Sequence, residues 1–248
     1  MPRFYVNLEL AIAQEVTLPL AVVRHINVLR LRVGEEIILF NGDGYSYTAH
    51  LITATKRASA AYVHTKLAVA DSATVEIKLA ICLIANDKID LALQKAVELG
   101  VAEIIPVISE RTQRLSPDKV LKRSEHWQNI IISSCEQCGR NVLPKLKQPL
   151  SLKQLLHDYQ NDELKVILTP HDNSQALPST TPTSLLVLVG PEGGFTPTEV
   201  KLALATGYQP LQLGNRIMRA ETAVIAGITV MQTLYGNFIN ASVSTILN

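Results

Sequence analysis

From about residue 76 onward, apolar runs of strand length alternate with helical segments, and no other feature constrains the fold as tightly. IKLAICLIA, VAEIIPVI, LKVILTP and LLVLVGPEGG are almost continuously apolar, as strands buried on both faces must be. Between the first two lies KIDLALQKAVEL, with Ile89, Leu93, Ala96 and Leu99 at helical spacing, Asp87 as its cap and Gly100 as its stop. Ser116-Pro117 opens a long helix through Trp127 to about Cys138. Thr196-Pro197-Thr198-Glu199 has the form of a capping box, and Gly207 closes that helix. LQLGNRIMRAET reads as a short strand and loop, and AVIAGITVMQTLY as a terminal apolar helix. The alternation predicts an α/β domain with a mostly parallel sheet.

The first 70 residues read differently. EEIILFNGDGYSYTAHLIT is two β-rich runs joined by Asn41-Gly42-Asp43-Gly44, a hairpin cue, and ASAAYVHTKLAV is another such run. LPLAVVRHINVLRL is helical in pattern. So many short strands in one segment predict a small barrel or curled sheet. AVADSATVE makes a linker near residues 68–76, so residues 1–70 and 74–248 are expected as separate domains.

At 248 residues, with 47% hydrophobic and 18% charged, the chain is that of an ordinary folded protein. The net charge of +1 selects no partner; the placement of charges must do so. No apolar run reaches the eighteen or so residues of a membrane helix, and MPRFYVNLELA lacks the parts of a signal peptide. Three cysteines argue against a disulfide framework, which makes the cytoplasm the expected compartment.

Three loops follow three strand ends: Thr169-Pro170-His171, Gly190-Pro191-Glu192-Gly193-Gly194 and Leu213-Gly214-Asn215-Arg216. Ligands of parallel sheets bind at the carboxyl ends of strands, so the three loops point to one shared site. Their glycines let backbone approach a ligand closely. No Gly-Lys-Ser/Thr follows GPEGG, and GxGxxG is absent, which leaves nucleotide hydrolysis and dinucleotide redox chemistry without support.

The combination is more specific than its parts. LLVLVGPEGGFTPTE, followed some twenty residues later by LQLGNRIMRAETA and a terminal helix, resembles the SPOUT superfamily of methyltransferases. Within it the chain is similar to the RsmE family, which methylates N3 of a uridine in 16S (small-subunit) ribosomal RNA. RHINVLRLRVGEEIILFNGDG, DLALQKAVELGVAEIIPVISERT and WQNIIISSCEQCGRNVLPKL agree, so the resemblance spans nearly the whole chain. It implies an N-terminal PUA-like RNA-binding barrel, a catalytic domain whose C-terminal part forms a trefoil knot, and a homodimer with the active site near the subunit interface. It also implies S-adenosylmethionine as cofactor, held by groups around Leu168, Gly190, Glu192, Gly193, Gly194, Leu213, Gly214 and Ile217. One departure is the turn Ile84-Ala85-Asn86-Asp87-Lys88, where the family usually carries a glycine-bearing basic turn; Lys88 keeps one positive charge.

Arg219-Ala220-Glu221-Thr222 has the best claim to chemistry. Uracil N3 is a poor nucleophile until its proton leaves, and the charge then spreads onto O2 and O4, where a guanidinium would stabilise it. Arg219 takes that role. Glu221 either accepts the proton or orients Arg219, and Thr222 either hydrogen-bonds the base or begins the helix. The plainer reading makes Glu221 and Thr222 helix N-terminal residues and Arg219 a structural ion-pair partner.

Basic residues fall in two regions, one with Arg3, Arg24, His25, Arg30 and Arg32, the other with Arg111, Arg114, Lys119, Lys122, Arg123, Arg140, Lys145 and Lys147. Of these, Arg3, Arg24, Arg30, Arg111 and Arg140 are the expected RNA contacts, either naked small-subunit RNA or an assembled small subunit being the partner. Cys135 and Cys138 have no second pair of ligands, so no metal is expected. Gln137, Gly139, Arg140 and Asn141 are expected to line the RNA or cofactor side, and His171 to hydrogen-bond within its loop. Two alternatives stand beside this reading: another SPOUT enzyme acting on a different nucleotide, and a non-catalytic RNA-binding ribosome-assembly factor. The former is weakened by a third loop reading GNRIMRAETA where ribose methyltransferases carry a SLNVS-like segment.

Overall fold

A computed structural model describes residues 1–68, 75–112, 116–170 and 176–238. His171, Arg114 and most of the expected linker lie outside the described residues. The chain forms two compact units, one of residues 1–71 with 132–143, the other of residues 72–131 with 144–248.

The first unit contains β1 (Arg3–Tyr5), β2 (Gln14–Thr17), α1 (Leu20–Leu29), β3 (Glu36–Phe40), β4 (Tyr45–Ala54) and β5 (Ser59–Ala68). Their sheet runs β1-β3-β4-β5-β2, antiparallel except for the β1–β3 pair. The hairpin forms where Asn41-Gly42-Asp43-Gly44 predicts it. Gly42 and Gly44 sit at φ +96° and +89°, and Asp43 Oδ1 accepts from the Tyr45 N–H at 3.0 Å. Alternation along β4 turns Tyr47, Ala49 and Leu51 into a core shared with Phe4, Ile26, Ile37 and Val63. Helix α1 ends on Arg30 at φ +57°, in the left-handed cap position more often held by glycine.

Residues 132–143 join this unit, which a division into two consecutive segments does not anticipate. The Arg3 guanidinium donates to the Gly139 carbonyl at 3.1 Å and to Asn141 Oδ1, and lies 5.2 Å from the centre of the Phe40 ring. The Tyr5 N–H donates to Glu136 Oε1 at 3.0 Å. These contacts fasten CEQCGRN to β1. They also engage the Arg3 guanidinium within the fold.

The second unit contains β6 (Glu76–Cys82), α2 (Asn86–Glu98), β7 (Glu103–Ile108), α3 (Pro117–Cys138) as far as Ile131, β8 (Lys145–Leu146), β9 (Leu150–Ser151), α4 (Leu152–Asp158), β10 (Leu164–Leu168), β11 (Ser184–Val189), α5 (Pro197–Ala205), β12 (Gln209–Leu211) and α6 (Ala220–Leu234). Every pairing in its sheet is parallel, in the order β12-β10-β11-β6-β7-β8, with β9 also paired to β7. This is the α/β fold the alternation predicts. From β6 the chain adds β7 and β8 on one side, then crosses to build β10, β11 and β12 on the other. Ile77, Leu79, Ile81, Leu186 and Leu188 are fully buried, each side chain contributing about 1.5–3 kcal/mol in transfer terms.

Three local expectations need correction. Asp87 does not cap α2: the N-cap is Ala85, in extended conformation, and Asp87 sits in the first turn where its charge meets the helix dipole. The last strand is Gln209–Leu211, two residues earlier in the chain than the LQL run read as a strand. Thr222 does not begin α6, whose first residue is Ala220 and whose N-cap is Arg219. Helix α4, with its Ser151–Gln154 capping box, has no counterpart in the sequence reading.

Candidate cofactor and catalytic site

A cavity of about 680 Å³ opens at the carboxyl ends of the strands of the second unit. Residues following β10, β11 and β12 line it, joined by Lys88 after β6 and Arg111 after β7. All eight residues expected around the cofactor lie on its wall: Leu168, Gly190, Glu192, Gly193, Gly194, Leu213, Gly214 and Ile217. The three loops thus converge as the strand-end rule requires.

The loop after β11 is held by several bonds. The Gly194 N–H donates to the Pro191 carbonyl at 2.8 Å, closing a turn in which Gly194 takes φ +65°, a region costly for other residues. Glu192 Oε1 accepts from the Ala85 N–H at 3.0 Å and lies 3.7 Å from Lys88 Nζ. Arg111 Nη1 donates to the Gly193 carbonyl at 2.6 Å. Glu199 closes the capping box with Thr196 and also accepts from the Glu110 N–H at 2.8 Å. Desolvation opposes the charge on Glu192, but the Ala85 hydrogen bond and Lys88 outweigh it and hold the carboxyl below its ordinary value. Glu192 therefore lines the cavity while its carboxylate tethers the loop to the start of α2.

The cradle leaves little room at two glycines. A Cβ on Gly190 would stand 3.0 Å from the Phe195 ring, and one on Gly193 would stand 3.4 Å from Arg111 Cδ. Leu168, Val189, Phe195, Val200, Leu211, Leu213 and Ile217 supply apolar wall. Size, glycine backbone and apolar lining suit a small cofactor bearing an adenine ring and an aliphatic chain, with polar backbone groups near at hand.

Arg219 is exposed on the cavity wall, and among the described residues its guanidinium has no hydrogen-bond or ion-pair partner. The reading of Arg219 as a structural ion pair finds no support in this arrangement. Its backbone carbonyl receives the Ala223 N–H at 2.8 Å, so its main chain is anchored as the cap of α6 while its side chain is not. Glu221 and Thr222 do not line the cavity. Glu221 is buried in the first turn of α6 with Oε2 unpartnered, and Thr222 is exposed. Among the expected RNA contacts, Arg24 and Arg30 are exposed on and after α1, Arg140 is half-buried and engaged, and Arg111 is part of the cavity.

The sequence reading named Arg216 only as part of the third loop and Lys88 only as a charge kept in the turn after β6, and it placed Arg111 only with the RNA contacts. Lys88 and Arg111 follow strand ends just as the glycine loops do, so the same rule applied to β6 and β7 would have found them. No group of three or more His, Cys, Asp or Glu side chains among the described residues is arranged to hold a metal ion.

Known proteins agree with this geometry. A family model for an RNA methyltransferase domain matches residues 71–232, and one for an RNA methyltransferase PUA domain matches residues 21–60. Ribosomal RNA small subunit methyltransferase E of Buchnera aphidicola subsp. Schizaphis graminum is 32% identical over 243 residues, covering 96% of this chain and 98% of that one. The Neisseria gonorrhoeae protein of the same name, solved bound to S-adenosyl methionine, superposes with a TM-score of 0.90 at 38% identity, covering 96% of this chain and 100% of that one. A methyltransferase of Legionella pneumophila, solved with bound SAM, gives 0.91 at 36% identity over 95% of this chain and 98% of that one. The chain belongs to the ribosomal RNA small subunit methyltransferase E family.

Proposed function

We propose that this protein is an S-adenosylmethionine-dependent methyltransferase acting on N3 of a uridine in 16S, small-subunit, ribosomal RNA. The observation that carries this reading is the unpartnered Arg219 on the wall of a glycine-built cavity at the carboxyl ends of a parallel sheet. Leu168, Gly190, Glu192, Gly193, Gly194, Leu213, Gly214 and Ile217 would hold the cofactor, most of them through backbone groups or apolar surface. When bound, the cofactor supplies a methyl group on a positively charged sulfur.

What the chain itself must do is make uracil N3 nucleophilic. Loss of the N3 proton places charge on O2 and O4, and the Arg219 guanidinium, unengaged elsewhere among the described residues, is available to stabilise it. Glu221 lies two residues on, buried, off the cavity wall and with Oε2 unpartnered, so either part for it, accepting the proton or orienting Arg219, requires its carboxylate to turn towards the cavity. Thr222, exposed one position further, is the remaining candidate for a hydrogen bond to the base. Leu168, Val189 and Phe195 supply apolar wall to the same cavity.

In this reading residues 1–70 form the PUA-like RNA-binding domain, its sheet curled into a barrel, and Arg24 and Arg30 make phosphate contacts. Residues 74–248 form the methyltransferase domain, with the chain after β10 passing through a trefoil knot. The protein works in the cytoplasm as a homodimer, and 88% exposure of Ile217 and 53% exposure of Leu234 offer apolar surface for a second copy. No helix among the described residues is long and apolar enough to cross a membrane.

The test combines calorimetry with transfer of labelled methyl groups. The cofactor is expected to bind at one site per chain, and label to enter small-subunit RNA. A protein that binds RNA without taking up the cofactor would be an assembly factor instead.

A further inference from the structure

Four cationic side chains line the cavity, namely Lys88, Arg111, Arg216 and Arg219, against one carboxylate, Glu192. Two of the four are engaged by the protein: Lys88 stands 3.7 Å from Glu192, and Arg111 donates to the Gly193 carbonyl at 2.6 Å. Arg216 and Arg219 are exposed, and neither has a hydrogen-bond or ion-pair partner among the described residues. A cavity wall with two unneutralised guanidinium groups is built for an anion beyond anything the loop itself supplies.

The two arginines differ in how they are mounted. Arg219 caps α6 and its carbonyl is held by the Ala223 N–H. Arg216 lies in the exposed run Gly214–Ile217, entered through Gly214 at φ +71°, and among the described residues no backbone hydrogen bond ties that run down. A guanidinium on a fixed helix cap can be aimed at charge developing on one base. One on an exposed turn suits a charge that is already present and tolerant of geometry, as a phosphodiester is.

We propose that Arg216 is a substrate-binding residue, which grips an RNA phosphate next to the nucleotide presented to the cavity and so holds the RNA at the site. The inference rests on the reading of the cavity as an RNA methyltransferase site. The four cations then have separate roles. Lys88 and Arg111 hold the loop, Arg219 serves the base, and Arg216 serves the backbone.

The experiment measures methyl transfer to small subunits, RNA binding at several salt concentrations and cofactor affinity by calorimetry, for wild type, Arg216→Ala, Arg216→Gln and Arg216→Lys. In Arg216→Ala, KM for RNA is expected to rise about tenfold with kcat changed less than about twofold. The slope of log affinity against log salt should fall by about 0.7 to 0.9, one phosphate contact. Arg216→Lys should restore most of the loss, because a phosphate accepts a point charge. Cofactor affinity should not move. Weakened cofactor binding would assign Arg216 to the cofactor's carboxylate and overturn the proposal, as would an unchanged KM and salt slope. Arg216→Gln gives the same readings should the alanine variant fold poorly. If wild type transfers no methyl group, the enzymatic reading fails on its own, while the salt slope still decides whether Arg216 meets RNA.

Discussion

Arg111 Nη1 and the Gly193 carbonyl oxygen stand 2.6 Å apart, joining the loop after β7 to the glycine loop after β11. The bond is charge-assisted but exposed to solvent, so its worth is about 1 kcal/mol rather than the 1.5–3 of a buried one. Arg111→Ala is expected to weaken cofactor binding about fivefold in a calorimetric titration. An unchanged affinity, with weaker RNA binding, would return Arg111 to the role of a phosphate contact.

Gly194 carries a different constraint. Its φ of +65° is open to glycine, and a Cβ there meets nothing within 4 Å, so the cost of substitution is conformational. A β-branched side chain in that region costs about 1–3 kcal/mol. Gly194→Val is therefore expected to lose cofactor affinity at least tenfold while the circular dichroism spectrum is retained. Wild-type affinity in that variant would move the cofactor away from this loop.

Parts of this site were legible because their determinants are local. Thr196 and Glu199 satisfy each other within one turn, and the Asn41–Gly44 turn carries its own conformational signal. The strand-end rule needed only the order of strands and loops to bring the three loops to one site, and the eight cofactor residues that the family resemblance implied lie on its wall. What stayed hidden depends on distance along the chain. Glu192 tethers to Ala85, 107 residues away, and Arg3 reaches Gly139 across 136. No periodicity reports such pairs, so the bonds that fasten CEQCGRN to β1 were not legible. Helix α4 escaped for another reason: seven residues are too few for a helical period to stand out.

Two buried thiols set an alkaline limit. Desolvation pushes Cys82 and Cys135 from 9.0 up to about 12, whereas Cys138 is exposed. In the folded protein both remain protonated at a pH where the unfolded chain has lost those protons. The stability they contribute is intact below about pH 9 and falls as pH rises towards about 12. The midpoint of urea unfolding is expected to drop steadily from about pH 9 to about pH 11. Alkylation of native protein at mildly alkaline pH should modify Cys138 alone, and all three cysteines after unfolding. Rapid labelling of Cys82 in the native state would contradict its burial.

Arg219 is the residue on which the chemistry rests. If its guanidinium stabilises the deprotonated base, the benefit is realised in the transition state, so Arg219→Ala should lower kcat and kcat/KM together by about 10²–10³. Cofactor affinity should change little. Lysine should rescue only part, because it lacks the two-pronged donor geometry. Raising the pH should recover some activity in Arg219→Ala, since solvent hydroxide then helps to ionise N3. Full activity in the alanine variant under single-turnover conditions would remove Arg219 from the mechanism.

The most direct measurement is the identity of the methylated nucleoside. Small subunits prepared from a strain lacking the modification are incubated with the purified protein and S-adenosylmethionine, and their RNA is digested and analysed by mass spectrometry. The expected result is 3-methyluridine at a single site, absent when Arg219→Ala replaces wild type at matched time. A methyl group on a ribose hydroxyl or a different base, or none at all from protein that binds the cofactor, would contradict the proposed chemistry.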